Sequence, residues 1–95
     1  MNHDKCKSVA SKLKVLAHPQ RLYILGSLMD TEKTVSEIEN LCGASQSVVS
    51  QHLTRMRLEK IVVSRKSGNY VYYRINDPDV VKLIIFLKSQ FCHEQ

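Results

Sequence analysis

The sequence predicts a mostly α-helical chain carrying one small β-hairpin, in the order ααααββα, the winged helix-turn-helix class. Three observations lead there. A capping-box string, Thr34-Val35-Ser36-Glu37, opens a short helix that Gly43 can close in the left-handed conformation. Ser45 can cap a further helix at once, so two helices flank a tight glycine-containing turn. Two runs rich in β-branched and aromatic residues then follow around a polar tip, the pattern of a hairpin.

Taken in order, Val9, Ala10, Leu13 and Leu16 recur at helical spacing and predict a first amphipathic helix over about Cys6 to Leu16. His18-Pro19 interrupts it. Pro19 at a first helical position starts the second, Gln20 to about Met29, with Leu22, Ile24, Leu25 and Leu28 as its apolar set. Gly26 in its interior costs roughly 1 kcal/mol relative to alanine. The third helix runs from the capping box to Leu41 or Cys42, and the fourth from Ser45 to about Glu59. Ile61 to Arg65 and Tyr70 to Ile75 are the strands, with Lys66, Ser67, Gly68 and Asn69 at the tip. Asp77-Pro78 opens the last helix, Pro78 to about Phe91. Its apolar surface is too wide for one packing face, so Val81, Ile84, Ile85 and Phe86 are expected to meet a second subunit.

The 95 residues form one domain, 1–95, and a domain of that size buries only about two-thirds of the surface its unfolded chain exposes. Dimerisation would supply more. With 43% hydrophobic and 24% charged residues the composition is that of an ordinary globular protein. The longest apolar run, Leu83 to Leu87, is far too short to cross a bilayer, and the polar start Met1 to Lys5 leads into no hydrophobic signal segment. A cytoplasmic protein is expected. A formal charge of +5, doubled in a symmetric dimer, makes polyanions the natural partners. Three cysteines, Cys6, Cys42 and Cys92, read as thiols or metal ligands rather than a disulfide framework.

In the fourth helix Val49, Leu53 and Met56 anchor one side to the core, which leaves Gln46, Ser47, Ser50, Gln51, Thr54 and Arg55 outward. That face carries no negative charge. Its side chains are of the kinds that reach base edges and phosphates in the major groove of double-stranded DNA. Arg65, Lys66 and Asn69 at the hairpin tip are expected to meet phosphates beside that groove. His52 shares the anchored side and is read as a partly buried, hydrogen-bonded histidine, and Cys42 as a small core hydrophobe.

Three strings, Leu16-Ala17-His18-Pro19-Gln20-Arg21-Leu22, Ser45-Gln46-Ser47-Val48-Val49-Ser50-Gln51-His52-Leu53 and Tyr72-Tyr73-Arg74-Ile75, resemble the ArsR/SmtB superfamily of winged-helix repressors. The resemblance implies a homodimer built from the first and last helices, with Leu13 joining the last-helix residues. It also implies a palindromic operator and an inducer that weakens DNA binding. The metal-sensing branches have cysteines where this chain has Thr34 and Ser36, and the apolar Val80 to Leu87 run lacks the histidine of another metal branch. Ser89-Gln90-Phe91-Cys92 is instead similar to the ending of the sulfide- and redox-sensing branch, whose second cysteine falls where this chain has Gly26. Cys92 is therefore the expected redox-sensing thiol, with Cys6 as its partner. No cofactor is expected. The alternatives are zinc held by His3, Asp4, Cys6, Cys92 and His93, or a DNA binder with no inducer site. An enzyme using Cys92 and His93 is disfavoured because adjacent helical residues point about 100° apart. A winged helix used only for protein contacts is disfavoured by the basic tip.

Overall fold

A computed structural model describes residues 1–92 of the chain. The elements are α1 (His3–Leu16), α2 (Pro19–Ser27), β1 (Lys33–Thr34), α3 (Val35–Cys42), α4 (Gln46–Leu58), β2 (Val62–Ser67), β3 (Tyr70–Ile75) and α5 (Pro78–Phe91). Each helix begins on a side chain that occupies one of its free amides. Asn2 accepts from the Lys5 amide at 2.7 Å, which starts α1 at His3, three residues before the expected Cys6. Thr34 and Glu37 close the expected capping box, the hydroxyl accepting from the Glu37 amide at 3.2 Å and the carboxylate from the Thr34 amide at 2.9 Å. Asp77 caps α5 through the Asp79 and Val80 amides at 2.9 and 3.3 Å. Gly43 ends α3 at φ 66°, a conformation that side chains with a Cβ rarely adopt.

The sheet holds one strand more than the sequence reading expects. β1 is two residues long, too short to show alternation, and pairs antiparallel with β3 so that the order is β1-β3-β2. β2 and β3 extend to Ser67 and Tyr70, leaving Gly68 and Asn69 as the turn, with Gly68 at φ 61°.

The core gathers Ile24, Leu25 and Ile38 with Val49, Leu53 and Met56 of α4, Ile61 and Val62, and Val80 and Ile84 of α5. Ile84, expected at a subunit interface, thus belongs to the protomer's own core. Val80 and Ile84 stand four residues apart on one helical face, and that face is the one turned inward. Val81 is half-buried, while Ile85 and Phe86 remain 55% and 57% exposed. α1 buries only Val15 and Leu16, and Leu13 is 48% exposed. Lys12 and Asp77 join α1 to the start of α5 by an ion pair. Burial works to raise the Asp77 carboxyl, yet its bonds to Lys12 and to the Asp79 and Val80 amides outweigh it and hold the group low. Cys42 packs against the core, where burial pushes its thiol up. Among the described residues no helix is long and apolar enough to cross a membrane.

Candidate nucleic-acid interface

α3, the left-handed Gly43 and the Ser45 cap of α4 form the helix-turn-helix, with the Ser45 hydroxyl accepting from the Val48 amide at 3.3 Å. α4 then turns Val49, His52, Leu53 and Met56 inward. That choice leaves Gln46, Ser47, Gln51, Thr54 and Arg55 exposed and Ser50 half-buried on the outer side. Lys66 and Asn69 are exposed at the end of the hairpin.

The inward side of α4 is fixed by a polar tie as well as by apolar contacts. His52 is only 8% exposed, and its Nδ1 accepts from Arg21 Nε at 3.0 Å. An arginine nitrogen can only donate, so the ring proton lies on Nε2, which donates to Gln20 Oε1 at 3.1 Å. Arg21 also donates to the Val15 carbonyl at 3.0 Å, which links α1, α2 and α4 through one guanidinium. The His18 ring lies 4.5 Å from that of His52, and its own Nδ1 caps α2 by accepting from the Gln20 amide at 3.2 Å. Gln20 and Arg21 have no signal in the sequence as site residues, because the histidine they hold is about thirty residues away.

Arg65 is placed differently from expectation. It is exposed, but its Nε donates to Glu32 Oε2 at 2.9 Å and its Nη2 to Glu32 Oε1, and its guanidinium lies 4.7 Å from the centre of the Tyr72 ring. It already has an anionic partner, whereas Lys66 does not figure in any ion pair among the described residues.

The cysteines are free. Cys92 caps the end of α5 and, with Tyr23, Gly26, Leu87, Lys88 and Phe91, lines a groove of about 990 Å³ between α2 and α5. Cys6 is exposed on α1. No second cysteine among the described residues lines the groove that holds Cys92. Among the described residues no three or more His, Cys, Asp or Glu side chains gather to hold a metal ion, and His93 lies outside the described residues.

The His52 tie makes stability depend on pH in a definite direction. Burial first, then the neighbouring His18 and Arg21, push His52 below the usual imidazole value. As pH falls through about 6.5 the unfolded chain takes up the proton before the folded one does, so stability is complete above that value and is lost below it. Urea unfolding should show a decline from pH 7.5 to 5.5 that is shallower in His52→Gln. His52→Ala should cost roughly 1–3 kcal/mol at pH 7.5 by leaving Arg21 and Gln20 without their partner. Equal pH slopes in wild type and His52→Gln would show that another group carries the effect.

Comparison with known proteins agrees with this geometry. Residues 18–63 match the family described as "Bacterial regulatory protein, arsR family". The chain is 35% identical over 92 residues to the transcriptional activator HlyU of Vibrio cholerae, covering 97% of this chain and 84% of that protein. It is 32% identical over 91 residues to the biofilm growth-associated repressor of Xylella fastidiosa, covering 96% and 80%. The structure of reduced HlyU superposes with a TM-score of 0.90 at 32% identity over 95% of both chains. The structure of the Xylella fastidiosa repressor BigR gives 0.82 at 32% identity, over 97% of this chain and 93% of that one. The chain belongs to the arsR family of bacterial regulatory proteins, which are DNA-binding transcriptional regulators rather than enzymes.

Proposed function

We propose that this regulator acts in the cytoplasm as a homodimeric repressor that reads a palindromic operator with α4 and is released by thiol chemistry at Cys92. The observation that carries the DNA-reading part is the outer face of α4. Gln46, Ser47, Ser50, Gln51, Thr54 and Arg55 stand together without a carboxylate among them, on a helix whose other side is pinned. Gln51 and Ser47 read base edges, and Lys66 and Asn69 steady the backbone beside the groove.

A dimer is supported by what the protomer leaves uncovered. Leu13 of α1 and Ile85 and Phe86 of α5 are each about half exposed, with Val81 at their margin. Burying them against a second copy would add apolar contact that a chain of this size needs. A twofold dimer also presents two α4 helices, as reading two half-sites one turn of DNA apart requires.

Cys92 is the sensing thiol and Cys6 of the second subunit its partner: no second cysteine lines the Cys92 groove, and α1 and α5, which carry the two thiols, are the elements with uncovered apolar residues. Two thiolates give a disulfide by passing two electrons to the sulfane sulfur of a polysulfide, which leaves as hydrosulfide. Such a bridge lowers DNA affinity only by favouring a subunit arrangement that fits the operator less well. The repressor sense follows the Xylella fastidiosa relative and PagR of Bacillus anthracis, both named repressors.

Three measurements test this reading. Gln51→Ala should weaken binding to a duplex selected from a random pool by roughly 1–3 kcal/mol with little effect on scrambled duplex, whereas Lys66→Ala should weaken both and flatten the salt dependence. Similar losses on both duplexes for both variants would overturn the division of roles. Ile85→Glu should give monomers in sedimentation and abolish tight binding, and a persisting dimer would refute the interface. Cys92→Ser should keep the affinity of the reduced protein and lose both the polysulfide response and the cross-linked dimer on a non-reducing gel. Release of DNA from Cys92→Ser by polysulfide would rule out the assignment.

A further inference from the structure

The Arg65 pair spans the sheet from one edge to the other. Arg65 lies on the β2 edge, directly opposite Tyr72 of the central β3, and Tyr72 is in turn opposite Thr34 of β1. Glu32 immediately precedes β1. The guanidinium therefore crosses the Tyr72 ring and takes both oxygens of a carboxylate held on the far side. The Arg65 bonds hold the Glu32 carboxyl below the usual range.

Two properties of this contact matter for a protein that binds duplex. A carboxylate and a phosphate offer a guanidinium the same paired-oxygen geometry, so what fits one fits the other. The pair is also wet, with side chains 52% and 28% exposed, and exposed ion pairs are weak enough for a dense polyanion to displace. The Tyr72 ring gives the guanidinium a second contact that does not depend on the carboxylate.

We propose that Glu32 is an intramolecular stand-in for a DNA phosphate, a specificity-determining residue that withholds Arg65 from duplex until α4 is seated. On random DNA the hairpin is held only loosely against the backbone, and Arg65 stays with Glu32. On a matched site α4 fixes the hairpin beside the duplex, which raises the effective phosphate concentration at Arg65 and makes the exchange favourable. Glu32 thereby removes one cation from sequence-independent binding and restores it to specific binding. The proposal rests on DNA reading by α4.

The test compares wild type, Glu32→Gln, Arg65→Ala and the double variant on a duplex selected from a random pool and on a scrambled duplex, across a salt series. Circular dichroism melting verifies folding, and Glu32→Ala, which also removes the carboxylate, replaces Glu32→Gln if that variant does not fold. Glu32→Gln should bind scrambled duplex roughly three- to tenfold more tightly and steepen its salt slope by about 0.9, the value of one phosphate contact. Arg65→Ala should leave scrambled binding unchanged and flatten the slope on the selected duplex by a similar amount. In the double variant the gain on scrambled duplex should vanish. A gain that persists without Arg65 would mean that Glu32 acts only as a general negative charge, and no gain in Glu32→Gln would mean that Arg65 is not withheld; either result overturns the proposal. A wild type that shows no preference for any selected duplex would instead defeat the reading of α4.

Discussion

The neutral imidazole of His52 is the contact on which the rest of this molecule's geometry turns. It sits where α4 meets the start of α2, accepting from one obligatory donor and donating to one acceptor. Apolar residues alone would hold α4 with some rotational freedom, since Val49, Leu53 and Met56 make non-directional contacts. Directed hydrogen bonds in a mostly dry setting remove that freedom and set which residues face outward. Arg21 extends the constraint to α1 through the Val15 carbonyl, so three helices share one fixed point.

The positive charge of the chain is unevenly committed. In the free protomer Lys12 is paired with Asp77, Lys33 with Asp30 and Arg65 with Glu32. Arg55 on α4 and Lys66 on the hairpin are exposed and lie outside those pairs. Net charge thus describes the attraction of a polyanion in general, while the placement of carboxylates decides which cations meet it.

The small core explains the uncovered surfaces. α1 gives it only two residues, and α5 turns Val80 and Ile84 inward while Ile85 and Phe86 point away. The groove that holds Cys92 lies on the α2 side of α5, with Gly26 in its wall and open space where a Cβ would stand. The thiol is exposed, and no second cysteine lines that groove.

Much of this was legible locally. The capping box, the turn glycines, the paired cap and proline at α2 and α5, and the helical spacing of Val49, Leu53 and Met56 each act within a few residues, so the chain states them directly. The outward face of α4 follows from the same spacing, and so does the family resemblance, which is carried by contiguous strings. The two-residue β1, the side of α5 to which Ile84 belongs, the partnership of Arg21 with His52 across 31 positions and that of Arg65 with Glu32 across 33 were decided only by the tertiary structure. Local propensity determines where an element starts and stops. Which of its faces is buried, and which charge finds an opposite, depends on elements distant in sequence, and no local pattern records that distance.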